Sequence, residues 1–176
     1  TSPMDASGVA QVRSRFPALT REIDGRPAVF VDAPGGSQVP DTVIDAIGGY
    51  LRTSNANAHG AFATSQETDD LIAEAHRASA DLLNADADEV VLGPNATTLL
   101  FAISRSVARI LRPGDEVVVT RLDHDANVRP WVLAAEDAGA TVRWVDIREE
   151  DATLDLASFE AALSERTKVV AFTLAS

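Results

Sequence analysis

The sequence contains no cysteine, and this absence excludes disulfide bonds and metal sites built on thiolates. Lysine is almost as scarce, because Lys168 is the only lysine among 15 basic residues. No apolar run is long enough to cross a membrane, and the first residues lack the basic segment and apolar stretch of a secretory signal. We therefore expect a cytoplasmic protein with no membrane partner.

Positive charge is also in short supply. The 27 acidic residues outnumber the 15 basic ones, which gives a formal net charge of −12 at pH 7. Such a charge repels nucleic acids and anionic membranes, so we expect neither as a partner. The 45% hydrophobic and 24% charged residues are ordinary for a globular domain and argue against disorder.

Three common motifs are missing as well. The chain has no Gly-x-Gly-x-x-Gly, no phosphate loop ending in Gly-Lys-Ser/Thr, and no Gly-x-Ser-x-Gly. A dinucleotide oxidoreductase, a P-loop hydrolase and a serine hydrolase are therefore poor interpretations.

What is present is an alternation of strand and helix patterns from Glu89 onward. Short β-branched or apolar runs predict strands, whereas apolar residues at helical spacing predict the helices between them. The predicted strands are 28–31, 89–92, 117–120, 141–145 and 168–174, and helices are predicted over 41–51, 130–137 and 156–163, with a turn at Gly139. A long helix is predicted after a cap at Thr64 or Ser65, with an apolar stripe of Leu71, Ala75, Ala78 and Leu82. Another is predicted after an N-cap at Asn95, with an apolar face of Leu99, Leu100, Ile103, Val107 and Leu111. This order predicts an α/β fold, with a mostly parallel sheet and helices on both faces.

The predicted domain is incomplete. Residues 1–29 are expected to form an N-terminal arm, and residues 30–176 to form one domain. The chain stops directly after the last apolar strand with no covering helix, and doubly wound sheets usually have more strands. We therefore expect the N-terminal part of a longer protein.

A first candidate site is the turn Gly93-Pro94-Asn95-Ala96-Thr97-Thr98 between a strand and a helix. Backbone N–H groups and the helix dipole at such a turn favour a phosphate, and the threonine hydroxyls could add hydrogen bonds. In the alternative interpretation, Asn95 only caps the helix.

A second candidate is Asp123-His124-Asp125-Ala126-Asn127, which follows a strand at the end where α/β proteins bind ligands. His124 could transfer protons or present its ring to an aromatic ligand. We expect no metal here, because there is no second nearby histidine and no cysteine. In the alternative interpretation, the segment is a polar loop that caps the next helix.

A third candidate is the loop that contains Ala33, Gly35 and Gly36, where glycine allows close backbone approach or a positive φ. Two further histidines are expected to have no role in a site. His59 is predicted to be a solvated loop residue, and His76 a solvated residue on a long helix.

Taken in order, these loops resemble the N-terminal part of the class V aminotransferase family, in its cysteine desulfurase-like branch of fold-type I pyridoxal phosphate enzymes. Five modest motifs in the family's order carry the resemblance. They are Phe-Val-Asp-Ala-Pro-Gly-Gly-Ser-Gln-Val-Pro (30–40), Ala-His-Gly (58–60), Gly-Pro-Asn-Ala-Thr-Thr (93–98), Pro-Gly-Asp-Glu-Val-Val-Val (113–119) and Asp-His-Asp-Ala-Asn-Val-Arg-Pro-Trp (123–131).

The resemblance implies pyridoxal 5′-phosphate as cofactor, a small amino acid as substrate and a homodimer as the assembly. The turn Asn95-Ala96-Thr97 would hold the cofactor phosphate through backbone N–H groups. His124 would stack on the pyridine ring and is the catalytic candidate, with Asn127 ordering the loop around it. Ala33, Gly35 and Gly36 would lie near the substrate carboxylate.

The chain also departs from the family pattern. Pro94-Asn95-Ala96 replaces a frequent Gly-Thr-Thr, and Asp125 stands where relatives often have histidine or a small residue. The lysine that holds the cofactor and the acid that faces the pyridine nitrogen lie further along the chain in the family. Lys168 is at the wrong place in the pattern and is expected to be a strand-edge charge. The 176-residue chain alone should therefore be inactive.

The activity stays open at this point among desulfurase, selenocysteine lyase, C–S lyase and aminotransferase. A non-catalytic binding or assembly domain of the same fold is a second hypothesis. A third is a doubly wound domain that binds a different phosphorylated ligand at Asn95.

Overall fold

The apolar run after the turn at residues 113–115 forms the central strand of a parallel sheet. In a computed structural model, which describes residues 6–31 and 35–174, this strand (β3) spans Glu116–Thr120 and is buried along its whole length. It lies between β4 (Thr141–Val145) and β7 (Thr167–Ala171), and both neighbours run parallel to it. A strand covered on both faces is typically a continuous apolar run, which is what the sequence shows.

Helices cover both faces of this sheet. Val117 and Val119 pack with Trp131 of α5 (Arg129–Ala138) on one face. Val118 points to the opposite face and packs with Ala162 of α6 (Leu156–Ala162). Because successive strand residues alternate between faces, one five-residue strand supplies both cores. The predicted α/β class, with its parallel sheet and helices on both faces, is confirmed.

One further helix and a small hairpin accompany the sheet and its covering helices. Helix α4 (Ala96–Ala108) packs against α5, and a small hairpin pairs β5 (Ile147–Arg148) with β6 (Thr153–Leu154). Gly139 ends α5 in the left-handed conformation with φ +68°. This conformation favours glycine, so the predicted turn at Gly139 is confirmed.

The chain divides into two compact units, residues 1–90 and 91–176, and the sheet belongs to the second. In the first unit, α1 (Ala6–Arg13) and a 3₁₀ helix (Pro17–Thr20) precede a hairpin of β1 (Glu22–Ile23) and β2 (Arg26–Pro27). Helices α2 (Asp41–Thr53) and α3 (Ala63–Leu83) and a 3₁₀ helix (Ala87–Glu89) follow. The predicted division into an arm of residues 1–29 and a domain of residues 30–176 stays a prediction.

Two predicted strands are wrong, and one is too long. Residues 28–31 form no strand, and in 89–92 only Glu89 has regular structure, as the last residue of a 3₁₀ helix. Val29 and Val91 are 81% and 73% exposed, and within the described parts of the chain no strand pairs with either segment. A β-branched run forms a strand only when a neighbour accepts its hydrogen bonds. The last strand ends at Ala171, not at residue 174.

Helix α3 also differs from its prediction in its cap and its buried face. Neither Thr64 nor Ser65 caps it, because the helix already begins at Ala63. Ser65 lies in the first turn and binds the preceding loop instead, accepting from Gly60 N and donating to Asn57 O, each at 2.6 Å. The buried residues are Ser65, Thr68 and Ala80. They do not belong to the predicted stripe of Leu71, Ala75, Ala78 and Leu82, of which Leu82 is 85% exposed.

Within the described residues, no helix combines the length and the apolar character needed to cross a membrane.

Candidate functional site

The turn before α4 is shaped by its first side chain. Asn95 is extended, and its Oδ1 accepts a hydrogen bond from Thr98 N at 2.8 Å. This is the predicted N-cap, and it satisfies one of the N–H groups that every helix leaves without a partner in its first turn.

The cap leaves other donors free. Ala96 and Thr97 occupy the first two helical positions, where a backbone N–H has no acceptor inside the helix. Both residues are exposed, and the first turn of α4 contains no acidic residue. Two unpaired N–H groups at the positive end of a helix dipole suit a phosphate.

Gly93 lets this turn approach the helix closely. A Cβ atom built at Gly93 would lie 2.6 Å from Leu99 Cδ2 and 2.8 Å from Leu99 Cγ. Any larger residue would therefore displace either the turn or Leu99 in the second turn of α4.

His124 begins the second predicted site and is held by a backbone group. Its ring Nδ1 accepts a hydrogen bond from Ala126 N at 3.1 Å, and the residue is exposed. Because a backbone N–H can only donate, Nδ1 must carry the lone pair, and a neutral ring therefore has its proton on Nε2. One ring nitrogen is thus used inside the protein, while Nε2–H stays available to a ligand.

A chain of hydrogen bonds continues behind His124. Asp123 Oδ1 accepts from His124 N at 2.7 Å, and Asp123 Oδ2 accepts from Asn127 Nδ2 at 2.8 Å. Asn127 Oδ1 in turn accepts from Trp131 Nε1 at 3.3 Å. The loop-ordering contacts expected of Asn127 are therefore present.

The two predicted cofactor sites belong to the same unit. Helix α4 packs against the 3₁₀ segment Asp125–Asn127 that His124 caps, and both pack against α5. The predicted substrate residues belong to the other unit. There Gly35 and Gly36 are exposed, and Gly36 has the predicted positive φ, at +140°. Ala33 lies outside the described residues.

Acidic and basic groups line a cavity beside His124. Its volume is about 290 Å³, and Asp123, Asp125 and Arg121 contribute to its wall. Arg121 is held in place, since its Nε lies 2.7 Å from Asp146 Oδ1 and its guanidinium lies 5.1 Å from the centre of the Trp144 ring. Asp125, the departure from the family pattern, is exposed at this cavity.

The other two histidines behave differently from each other. The side chain of His59 is 90% exposed, as predicted for a loop residue, with Nδ1 3.2 Å from Asp69 Oδ1. The prediction for His76 is wrong. It is half-buried, and its Nδ1 lies 3.2 Å from the backbone oxygen of Ala87, because the chain turns back over α3 after that helix ends.

Lys168 is exposed and lies near the amino end of β7. The parallel register places residues 167–169 beside Glu116 and Val117, at the start of β3. The His124 loop (residues 123–127) follows the opposite end of β3. The only lysine of the chain is therefore at the wrong edge of the sheet to reach the His124 loop.

The sequence interpretation missed a cluster of charges at that same amino edge, which we call the Glu116 cluster (Glu116, Arg143, Ser164 and Arg166). The side chain of Glu116 is 3% exposed, and its Oε1 lies 2.8 Å from Nη2 of Arg143 and of Arg166. Its Oε2 accepts from Ser164 Oγ at 2.7 Å. The signal in the sequence was a single glutamate at the start of an apolar strand.

These donors act strongly on the carboxylate. Hydrogen bonds from Arg143, Ser164 and Arg166 lower the pKa of Glu116 from its ordinary 4.5 to about 2, although burial acts in the opposite direction. The same contact raises the pKa of Arg143. Both carboxylate oxygens of Glu116 accept hydrogen bonds from protein side chains. The Glu116 cluster therefore joins β3 to β4 and to the segment before β7, and it offers no ligand site.

In residues 6–31 and 35–174, no group of three or more histidine, aspartate or glutamate side chains is placed to hold a metal ion.

Comparisons with known proteins agree with this architecture. The family described as aminotransferase class-V matches residues 29–176. An uncharacterized protein of Mycobacterium tuberculosis is 36% identical over 171 residues, and a probable cysteine desulfurase of Streptomyces coelicolor is 34% identical over 173 residues. These matches cover 97% and 94% of this chain but 42% and 41% of the relatives. The chain thus spans about two fifths of the length of these curated relatives.

Solved structures of cysteine desulfurases also resemble this chain, again over about two fifths of their length. A crystal structure of a cysteine desulfurase from Escherichia coli is 27% identical, with a TM-score of 0.75, and the match covers 92% of this chain and 40% of that one. The apo structure of a cysteine desulfurase from Thermococcus onnurineus is 25% identical, with a TM-score of 0.80, covering 97% and 40%.

Proposed function

The chain belongs to the class V aminotransferase family, and we propose that it forms the cofactor-binding part of a pyridoxal 5′-phosphate enzyme that acts on a small amino acid. Relatives at 34% and 32% identity are named as cysteine desulfurases, which favours a cysteine desulfurase-like or aminotransferase activity. One observation carries the proposal. The helix with free N–H groups in its first turn packs against the segment that presents His124.

The first turn of α4 would bind the cofactor phosphate. The N–H groups of Ala96 and Thr97 are the free donors, and the exposed Thr97 can add its hydroxyl. Asn95 would act indirectly, because its side-chain oxygen already accepts from Thr98 N and so holds the turn in shape. The absence of acidic residues in this turn matters in a chain of net charge −12, since nearby carboxylates would repel the phosphate.

His124 would supply the aromatic contact. Its exposed ring has one nitrogen fixed by Ala126 N, which leaves the ring face for the offset stacking that aromatic pairs prefer. When bound, pyridoxal phosphate supplies an electron sink for bonds at the α-carbon of an amino acid. His124 would orient that ring, and its Nε2–H stays available as a donor.

The remaining assignments follow the family pattern. Ala33, Gly35 and Gly36 would lie near the substrate carboxylate, and the whole protein would be a cytoplasmic homodimer. We propose further that the 176-residue chain binds the cofactor without turning over a substrate. The support for this step is Lys168, the only lysine, at the opposite edge of the sheet from the His124 loop.

The test is an absorbance titration of the 176-residue chain with pyridoxal phosphate, followed by dialysis and borohydride reduction. We expect saturable binding, loss of the cofactor on dialysis and no covalent adduct by mass spectrometry. Lys168→Arg should bind equally well, because it keeps the charge and removes only the amine.

Two outcomes would overturn the proposal in different ways. A borohydride-trapped adduct that disappears in Lys168→Arg would show that Lys168 holds the cofactor. Absence of saturable binding, with saturable binding of inorganic phosphate at the same turn, would favour the second candidate, a non-catalytic domain for another phosphorylated ligand. That candidate is supported by the free N–H groups of α4 alone.

A further inference from the structure

We propose that Asp123 and Asn127 are positioning residues that hold His124 in one ring orientation and one tautomer. The inference rests on the proposed function, in which the face of His124 contacts the cofactor. It adds a physical reason for the polar residues around His124, and it assigns them a role that does not require contact with a ligand.

The first step concerns the ring. A free neutral imidazole exchanges its proton between Nδ1 and Nε2, and a ring on an exposed loop can also rotate. The hydrogen bond from Ala126 N to Nδ1 removes both freedoms, because it requires an unprotonated Nδ1 at one position. It survives only while the backbone of residues 124–126 keeps its present shape.

The second step concerns that backbone. Asp123 Oδ1 accepts from His124 N at 2.7 Å, which ties the main chain of His124 to the preceding side chain. The acceptor is a carboxylate, so the bond is charge-assisted and stronger than a bond between neutral groups. Asp123 thereby limits the movement of the turn from which Ala126 donates.

The third step anchors Asp123 to the core. Its Oδ2 accepts from Asn127 Nδ2 at 2.8 Å, and Asn127 Oδ1 accepts from Trp131 Nε1 at 3.3 Å. Trp131 is 7% exposed and packs with the core residues Val117 and Val119. The hydrogen-bond chain therefore runs from the sheet core to the backbone of His124.

The donors and acceptors of these side chains fix the direction of each hydrogen bond. A carboxylate only accepts and an indole N–H only donates, so the amide of Asn127 fits between them in a single orientation. Asp123→Asn places an amide N–H₂ opposite the N–H₂ of Asn127. Turning the Asn127 amide over relieves that conflict but creates the same conflict with Trp131 Nε1. Asn127→Asp sets two carboxylates against each other.

The exchanged pair Asp123→Asn/Asn127→Asp provides a matched control. Its new amide at position 123 accepts from His124 N and donates to the carboxylate at position 127, which still accepts from Trp131 Nε1. All three hydrogen bonds are restored, and the net charge of the loop is unchanged. A role limited to overall charge would change cofactor affinity in opposite directions in the two single variants, because Asp123→Asn removes a negative charge and Asn127→Asp adds one, whereas the positioning role lowers it in both.

The experiment measures the ¹⁵N chemical shifts of the His124 ring in the ligand-free 176-residue chain, at the alkaline plateau of those shifts. We expect two widely separated shifts in the wild type, as for a single tautomer. They should move towards each other in Asp123→Asn and in Asn127→Asp, and separate again in the exchanged pair. Affinity for pyridoxal phosphate should fall by roughly three- to tenfold in each single variant and recover in the pair.

The outcomes separate this inference from the proposed function. Unchanged ring shifts in both single variants would overturn the positioning role, regardless of how the affinity for pyridoxal phosphate changes. Shifts that respond as expected, while cofactor affinity is the same in all four proteins, would support the positioning of the ring and contradict its role in cofactor binding. If Asp123→Asn unfolds, Trp131→Phe breaks the same chain without altering the loop charge, and unchanged shifts there would equally overturn the inference.

Discussion

The two ends of the central strand β3 hold polar residues in opposite states. At the amino end, Glu116 is 3% exposed, and both its oxygens are bound by arginine and serine side chains. At the carboxyl end, His124 is exposed, and one of its ring nitrogens has no partner among the described residues. Saturated, buried polar groups hold a fold together, whereas exposed groups with spare hydrogen-bonding capacity are available to ligands.

The difference follows from the direction of parallel strands. All three strands of the sheet begin at one edge and end at the other, so one edge collects strand starts and the other collects the loops that follow. Ligands of open α/β sheets bind at the carboxyl edge. The amino edge is free to carry structural contacts such as the Glu116 cluster.

The largest expected effect is the loss of stability when the Glu116 cluster, at the amino end of β3, is disrupted. Glu116→Gln leaves Arg143 and Arg166 without their shared anion, and we expect the thermal midpoint to fall by roughly 5–10 °C. Glu150→Gln is the matched control, because its pair with Arg148 is more than half exposed and should contribute little. Circular dichroism measures both, and equal midpoints for the two variants would contradict the structural role of Glu116.

Acidic pH should remove the stabilisation that the Glu116 carboxylate provides. The pKa of Glu116 is about 2 in the folded chain and ordinarily 4.5, so the folded state binds fewer protons between these values. The stabilisation is therefore complete above pH 4.5 and is lost as the pH falls towards 2. Urea unfolding at several pH values should show the difference between wild type and Glu116→Gln shrinking across this range. A constant difference would mean that the carboxylate charge is not its source.

In the other part of the proposed cofactor site, Gly93→Ala should disturb the turn before α4. The added Cβ would lie 2.6 Å from Leu99 Cδ2, and overpacking of this kind costs about 1–3 kcal/mol. Cofactor affinity should fall as well, because the N–H groups of Ala96 and Thr97 belong to the same turn.

Two controls accompany this change. Leu99→Ala in the Gly93→Ala background provides room for the methyl group and should restore cofactor affinity. Gly49→Ala in α2 meets no atom within 4 Å and should stabilise the chain, since alanine is the better helix former. Normal stability and affinity in Gly93→Ala alone would show that the turn does not depend on this close approach.

The smallest expected effect concerns Asp125. This exposed carboxylate lies in the 3₁₀ segment that packs against α4, so it should weakly repel an anion at the first turn of that helix. Asp125→Asn should strengthen pyridoxal phosphate binding by roughly two- to threefold at low salt, with the gain disappearing at high salt. A gain that persists at high salt would point to a direct contact instead.

The sequence predicted best where a local pattern decides the structure. Asn95 is a good N-cap wherever it precedes a helix, and the run from Val117 to Thr120 suits only a strand covered on both faces. Prediction failed where a partner distant in the sequence decides. Residues 28–31 have a strand composition but no neighbouring strand in the described chain, and Ser65 binds a loop that no helix pattern reveals.

The residues of the candidate site show the same contrast between features set by local sequence and features set by distant partners. The position of His124 after a strand was visible in the sequence, and its neighbours suggested a polar loop. The tautomer was not visible, because it depends on the backbone N–H of Ala126. The Glu116 cluster was invisible for a similar reason, since its arginines are 27 and 50 residues away along the chain.

The most direct test of the central claim is the affinity of the chain for pyridoxal phosphate after the same substitution at two histidines. His124→Gln removes the aromatic face at the carboxyl end of β3, and we expect it to weaken binding by roughly three- to tenfold. His76→Gln on α3 should leave the affinity unchanged, and His124→Phe should retain most of it. Equal affinities for His124→Gln and the wild type would contradict the assignment of this edge of the sheet as the cofactor site.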